Sequence, residues 1–171
     1  MALTGDIKTT RYGTPGNSTQ PGNLGITASA KIYRGSIATR RSGYLVAATA
    51  PASTDLTWGL IDKYGPGYAD VAPGLVGGTS NGSVTAEIAT GAFFLQNGSG
   101  ASAFTQANVG AAAYVQDEQS MGSSQGSGAT ALPVGGQFLG MAANIAPNLP
   151  NVAGMIVVKI GSPAGSTGAP S

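Results

Sequence analysis

The sequence predicts an all-β chain, folded as a compact barrel-like or sandwich-like single domain, and three features carry that expectation. Twenty-eight glycines and ten prolines in 171 residues cut the chain into pieces too short for long helices and suited to strands joined by tight turns. Apolar and polar positions alternate with a period of two, as in Val84 to Ile88, and no stretch sustains a 3.6-residue period. The large side chains, Trp58, Phe93, Phe94, Phe104, Tyr114 and Phe138, are few, so they are the candidate core.

Taken in order, residues 1–23 are rich in Thr, Gly, Pro and Asn, with Leu3, Ile7 and Tyr12 as isolated apolar anchors. Such a tract buries too little surface to fold alone, so it reads either as a disordered tail or as an extended N-terminal arm that orders on a neighbour by strand addition. The β-domain is expected over 24–161. Lys31 to Ile37 and Gly43 to Ala47 form a hairpin through Thr39-Arg40-Arg41-Ser42-Gly43, the last glycine suiting the positive φ of such loops. Leu56 to Ile61 is a strand carrying Trp58, which reads as a core filler. Asp62 to Gly82 holds eight Gly and Pro residues with Tyr64 and Tyr68 between them. So long and charge-poor a loop is expected to contact a second subunit or a partner.

Val84 to Ile88 and Ala92 to Gln96 read as two strands around a turn at Thr90-Gly91, and Thr105 to Gly110 as one short helical turn. Ala111 to Val115 is extended and ends at Gln116-Asp117-Glu118-Gln119, a strand end expected to face water. Met121 to Thr130 reads as a mobile Gly/Ser/Gln tract. Leu132 to Ala143 is a strand with a kink or bulge at Gly135-Gly136, and Asn144 to Asn151 is a Pro-bounded loop. The nearly continuous apolar run of the last strand, Gly154 to Ile160, implies burial on both faces. Residues 162–171 are a flexible C-terminal tail of Gly, Pro and Ser.

Histidine and cysteine are both absent, which removes the usual nucleophile–base pairs, thiolate metal sites and any disulfide framework. The seven carboxylates, Asp6, Asp55, Asp62, Asp70, Glu87, Asp117 and Glu118, include one adjacent pair, and neighbours on a strand point to opposite faces rather than forming an acid–base dyad. Gly122-Ser123-Ser124-Gln125-Gly126 matches the G-x-S-x-G string, but without a base or a strand-to-helix elbow. The sequence therefore predicts no enzyme, no cofactor and no bound metal. A net charge of +1 gives no field for a phosphate backbone, so nucleic acid is not an expected partner. The Arg40-Arg41 pair reads as a solvated hairpin end or as a contact for an acidic rim. No run reaches the roughly 18 apolar residues of a membrane span, and the N-terminus lacks the regions of a signal peptide. The expectation is a protein made in the cytoplasm, with no membrane partner.

Two blocks carry a resemblance. Gly91, Phe93, Phe94 and Asn97, then Thr105, Asn108, Val109 and Gly110, then Tyr114, Val115, Asp117, Glu118 and Gln119 follow a pattern of Gly-aromatic strand, short turn and YV strand with an acidic end. Earlier, Lys31-Ile32-Tyr33-Arg34-Gly35 and Gly43-Tyr44-Leu45-Val46 follow the matching strand and return. Together these resemble the capsid decoration (cement) proteins of tailed bacteriophages over Lys31 to Ala142. Glu118 stands where the pattern has a second aspartate, and Ser120-Met121 where it has Thr-Val. The resemblance implies a β-tulip-like fold and a structural virion protein made in the host cytoplasm. It would act on the capsid exterior, as a homotrimer bridging major capsid subunits. Leu3, Ile7, Tyr12, Tyr64 and Tyr68 are the expected contact residues. A different class, a carbohydrate-binding or adhesive β-domain on a virion or cell surface, would use Trp58, Tyr64 and Tyr68 as stacking platforms.

Overall fold

The computed structural model describes residues 24–65, 74–128 and 131–160, together with the backbone of Arg11–Tyr12. It is an all-β structure built on a small closed barrel. The barrel consists of β9 (Gly91–Asn97), β10 (Ala112–Val115), β11 (Ser120–Gly122), β12 (Val134–Met141) and β13 (Met155–Ile160), paired in the order β9-β11-β10-β12-β13 and back to β9. Every pairing is antiparallel except β9 with β11. Closure removes the open edges of the sheet except on β9, where β11 covers only Gln96 and Asn97. Alternation sends Phe93, Leu95, Ala113, Val115, Phe138, Ile156, Val158 and Ile160 inward. Phe104, from the β9–β10 connection, stacks on Phe138 with ring centroids 4.3 Å apart.

A second sheet runs β2 (Leu24–Gly25), β8 (Thr85–Ala89), β6 (Leu56–Tyr64), β4 (Ile37–Arg41) and β5 (Tyr44–Ala47). A bridge between Ile26 and Leu45 brings its last strand beside the chain leaving its first, so this sheet also curls on itself. Ile26, Ala38, Leu45, Ile61, Tyr64, Val84, Ala86 and Ile88 fill it, and the ribbon of β3 (Lys31–Ile32) with β7 (Leu75–Val76) adds Ile32 and Leu75. The two curled sheets share a core: Ile37, Ala48, Leu60 and Ala89 of the second pack into the cluster that fills the barrel.

The hairpin from β4 to β5 turns through Ser42 and Gly43, both at positive φ (49° and 92°). That is the backbone a two-residue hairpin loop requires. The expected helical turn is a 3₁₀ turn over Gln106–Asn108, and Thr105 holds it by donating its N–H and hydroxyl to Asn108 Oδ1, at 2.8 and 2.9 Å. The bulge expected at Gly135-Gly136 lies at Gly135, skipped where Ala113 pairs with Gly136 and Tyr114 with Val134. The last strand is buried on its inner face and, on its outer face, at Val157, whereas Lys159 is exposed. Ile156, Val158 and Ile160 point into the barrel, whereas Val157 lies outside with Phe94 under α1 (Ala142–Ile145).

Four sequence expectations are corrected. β8 and β9 do not pair with each other: Thr90 passes the chain from one sheet to the other, because β8 is already flanked by β2 and β6 and β9 by β13 and β11. The strand expected over Lys31 to Ile37 breaks at Gly35 (φ 81°) into β3 and β4, which join different sheets. Met121 is fully buried in the barrel rather than the start of a mobile tract, since β11 completes the closure there. Finally, β6 continues through Asp62 and Lys63 to Tyr64, where Lys63 faces Glu87 and Tyr64 faces Ala86, which takes these residues out of the expected long loop.

Candidate interaction surfaces

The expected contact residues separate in the structure. Leu3, Ile7 and Tyr68 lie outside the described residues. Tyr12 belongs to β1 (Arg11–Tyr12), whose backbone pairs antiparallel with Phe93 and Ala92 on β9. The pairing has a simple cause: β11 covers that edge of β9 only at Gln96 and Asn97, leaving the backbone groups beside Ala92 and Phe93 open to another strand. Part of the arm therefore lies on this chain's own barrel. Tyr64 is 6% exposed and packs inside the second curled sheet, where its hydroxyl accepts the N–H of Arg34 at 3.3 Å. Its ring is occupied within the protomer, because the extension of β6 turns it inward.

The acidic pair is also placed differently from the expected solvated end. Glu118 is 1% exposed, in the turn from β10 to β11 that faces the second sheet, and its carbonyl accepts the N–H of Ile37 at 2.8 Å. Asp117 holds the turn's shape, its Oδ1 accepting the N–H groups of Gln119 and Ser120 at 2.9 and 2.8 Å. Burial works against the charge on Asp117, but hydrogen bonds that include these two outweigh it and hold its carboxyl below the ordinary range. The pair thus sits at the seam between the two curled sheets. Among the described residues no three His, Cys, Asp or Glu side chains are grouped to hold a metal.

The arginine pair divides. Arg41 forms a two-pronged ion pair with Asp55, Nε to Oδ1 at 2.7 Å and Nη2 to Oδ2 at 2.8 Å, and Asp55 also accepts the N–H of Ala52. Those hydrogen bonds raise the Arg41 pKa further above its ordinary value. The Asp55 side chain is fully buried while that of Arg41 is 47% exposed, so the arginine serves as the lid on a buried carboxylate. Arg40 instead lies over the ring of Trp58, its guanidinium carbon 5.1 Å from the centroid. Trp58, expected as a core filler, packs partly buried against the second cluster.

Sequence reasoning missed this division, because adjacent residues on a strand face opposite ways and nothing local says which face is taken. One usable signal was present: Asp55 lies just beyond a Pro-containing loop, in the place where a return strand brings a carboxylate alongside β4. Among the described residues the large exposed apolar side chains are Leu56, Val76, Val109, Val134 and Leu149, scattered over different elements. No helix among the described residues is long and apolar enough to cross a membrane. No protein family, curated protein or solved structure matches the chain.

Proposed function

We propose that the chain is a structural virion protein that binds the outer surface of an icosahedral phage shell and stabilises it by bridging neighbouring major capsid subunits, as a homotrimer. The observation that carries this reading is the sequence block from Gly91 to Gln119, whose order of glycine, aromatics, short turn, Tyr-Val and acidic pair resembles that of the decoration proteins. One structural fact is consistent with it: the block forms one continuous piece, β9, the 3₁₀ turn, β10 and the seam turn, so the residues that carry the resemblance share a framework. Arg11 and Tyr12 add as a strand to this chain's own β9 rather than to a neighbour's. In a trimer, several weak contacts made at once raise the overall affinity through effective concentration.

The carbohydrate-binding reading has less support. Tyr64 is buried, and Trp58 packs partly buried against the apolar cluster with Arg40 over its ring. The test is co-sedimentation of the purified protein with expanded and unexpanded shells assembled from the major shell protein of the same genome. Saturable binding to expanded shells, with a raised shell disassembly temperature, is expected. Failure to bind either form, or binding of glycans in place of shells, overturns the proposal.

A further inference from the structure

We infer that the face of the second sheet carrying Arg40, Leu56 and Trp58 is an interaction surface for a carboxylate-bearing extended segment of a partner protein. The inference deepens the reading above and rests on it only for the identity of the partner, the shell. Four observations converge. First, Arg40 sits between Leu45 on β5 and Leu56 on β6 in the strand register. Leu45 is fully buried, whereas Leu56 is 47% exposed, so the guanidinium lies where core gives way to open apolar surface.

Second, a bulge re-aims Trp58. Ala38 pairs with Gly59 and Thr39 with Thr57, leaving Trp58 as the extra residue. Gly59 permits this at φ 155°, in a position where a Cβ would overlap the Ala89 carbonyl oxygen. Third, Arg40 has no carboxylate or hydrogen-bond acceptor among the described residues, although its neighbour Arg41 has two. Fourth, Arg40 Nε and Trp58 Nε1 are both covered and without an acceptor among the described residues, an expensive arrangement for two donors on adjoining side chains.

Trp and Arg in one patch are residue types enriched at binding hot spots, and Leu56 adds exposed apolar area beside them. The guanidinium carbon lies 5.1 Å from the centre of the indole ring, and the complement of a guanidinium's planar fork of donors is a carboxylate with two oxygens in one plane. Docking has to shift Arg40 slightly on the ring, since Nε itself is covered, and the indole N–H beside it then senses the event.

The chain has one tryptophan, so its indole N–H is a unique nuclear magnetic resonance reporter. The full-length ¹⁵N-labelled protein is titrated with a capped hexaglutamate peptide, and separately with capped hexaglutamine and with sodium sulfate at matched ionic strength. Hexaglutamate is expected to move the indole signal saturably, and roughly tenfold more weakly in Arg40→Gln. Leu56→Ser, on an exposed side chain, is expected to weaken binding in the same direction, while Lys159→Gln leaves it unchanged. Absence of a saturable shift, equal affinity in Arg40→Gln and Leu56→Ser, or an identical response to sulfate overturns the inference. Shell co-sedimentation separates the two proposals. Shells that bind Arg40→Gln as well as the parent protein overturn this surface and leave decoration standing. A hexaglutamate response without shell binding leaves the surface standing and overturns decoration.

Discussion

The barrel of β9 to β13 and the curled sheet of β2 to β8 are built from the same kind of short, glycine-punctuated strands, yet they close in different ways. β13 pairs with β9 over six residues, from Met155 opposite Gln96 to Ile160 opposite Gly91, and three phenylalanines, Phe93, Phe104 and Phe138, fill the interior. The second sheet is brought round by the single bridge of Ile26 to Leu45. Its interior holds aliphatic residues and Tyr64, with Trp58 partly buried against them. Closure by a full ladder satisfies backbone groups and excludes water together. Closure by one bridge leaves an end where charged and aromatic side chains must finish the packing, and Arg40, Arg41 and Asp55 are found near it. The difference shows where the fold is closed by a ladder and where it is not: the barrel closes completely along β13 and β9, and the less completely closed sheet carries the surface proposed for a partner.

The comparison breaks most directly at Phe138. Truncation of Phe138→Ala removes a fully buried ring and its stacking partner's contact, with an expected loss of about 3–5 kcal/mol, read from urea unfolding. Because Ile37, Leu60 and Ala89 of the other sheet share that cluster, both regions are expected to unfold in one transition. Two separated transitions would show that the regions are independent units.

Arg41→Gln tests the other side. It uncovers the carboxylate of Asp55 and leaves it with the Ala52 N–H; the expected cost is about 1–3 kcal/mol, kept below that of a fully buried pair by the exposure of Arg41. A change within error in the denaturation midpoint would mean that the ion pair is a surface ornament.

A smaller effect is expected from Asp117→Asn. The folded-state pKa of Asp117 lies below its unfolded value, near 3.9 for a free aspartate. Its contribution is therefore complete above that value and is lost as pH falls through the lower, folded pKa. The asparagine variant keeps an acceptor for Gln119 and Ser120 but does not titrate, so its melting temperature should fall less steeply than the parent's below about pH 4. Parallel acid limbs for the two proteins would refute the assignment. Smallest of all, Ser42→Asn places a residue that tolerates positive φ before Gly43. It should stabilise the β4–β5 hairpin by about 0.5 kcal/mol, detectable as a slight rise in melting temperature, and destabilisation would contradict the turn geometry.

Much of the framework was legible from local chemistry. Gly43 after Ser42 announces a hairpin loop, Thr105 with Asn108 a capped turn, Gly135-Gly136 a bulge, and the run from Met155 to Ile160 a strand buried along most of its length; each signal acts within a few residues of its source. The candidate surface was legible only in part. The two arginines and Trp58 stood out by type, but Leu56 and the separate fates of Arg40 and Arg41 did not.

By itself, then, the sequence determined that this protein is made of short strands, where most of them begin and end, and that it lacks the histidine and cysteine chemistry of common enzymes. Only the tertiary structure decided which strands meet. Thr90-Gly91 looks the same locally whether it turns a hairpin or hands the chain from one sheet to another, and Glu118 looks like a solvated strand end until Ile37 is found against it. The physical reason is that alternation and turn propensity act between near neighbours. Pairing, closure and the burial of Met121, Tyr64 and Glu118 depend on backbone and side-chain partners tens of residues away, whose identity no local pattern encodes.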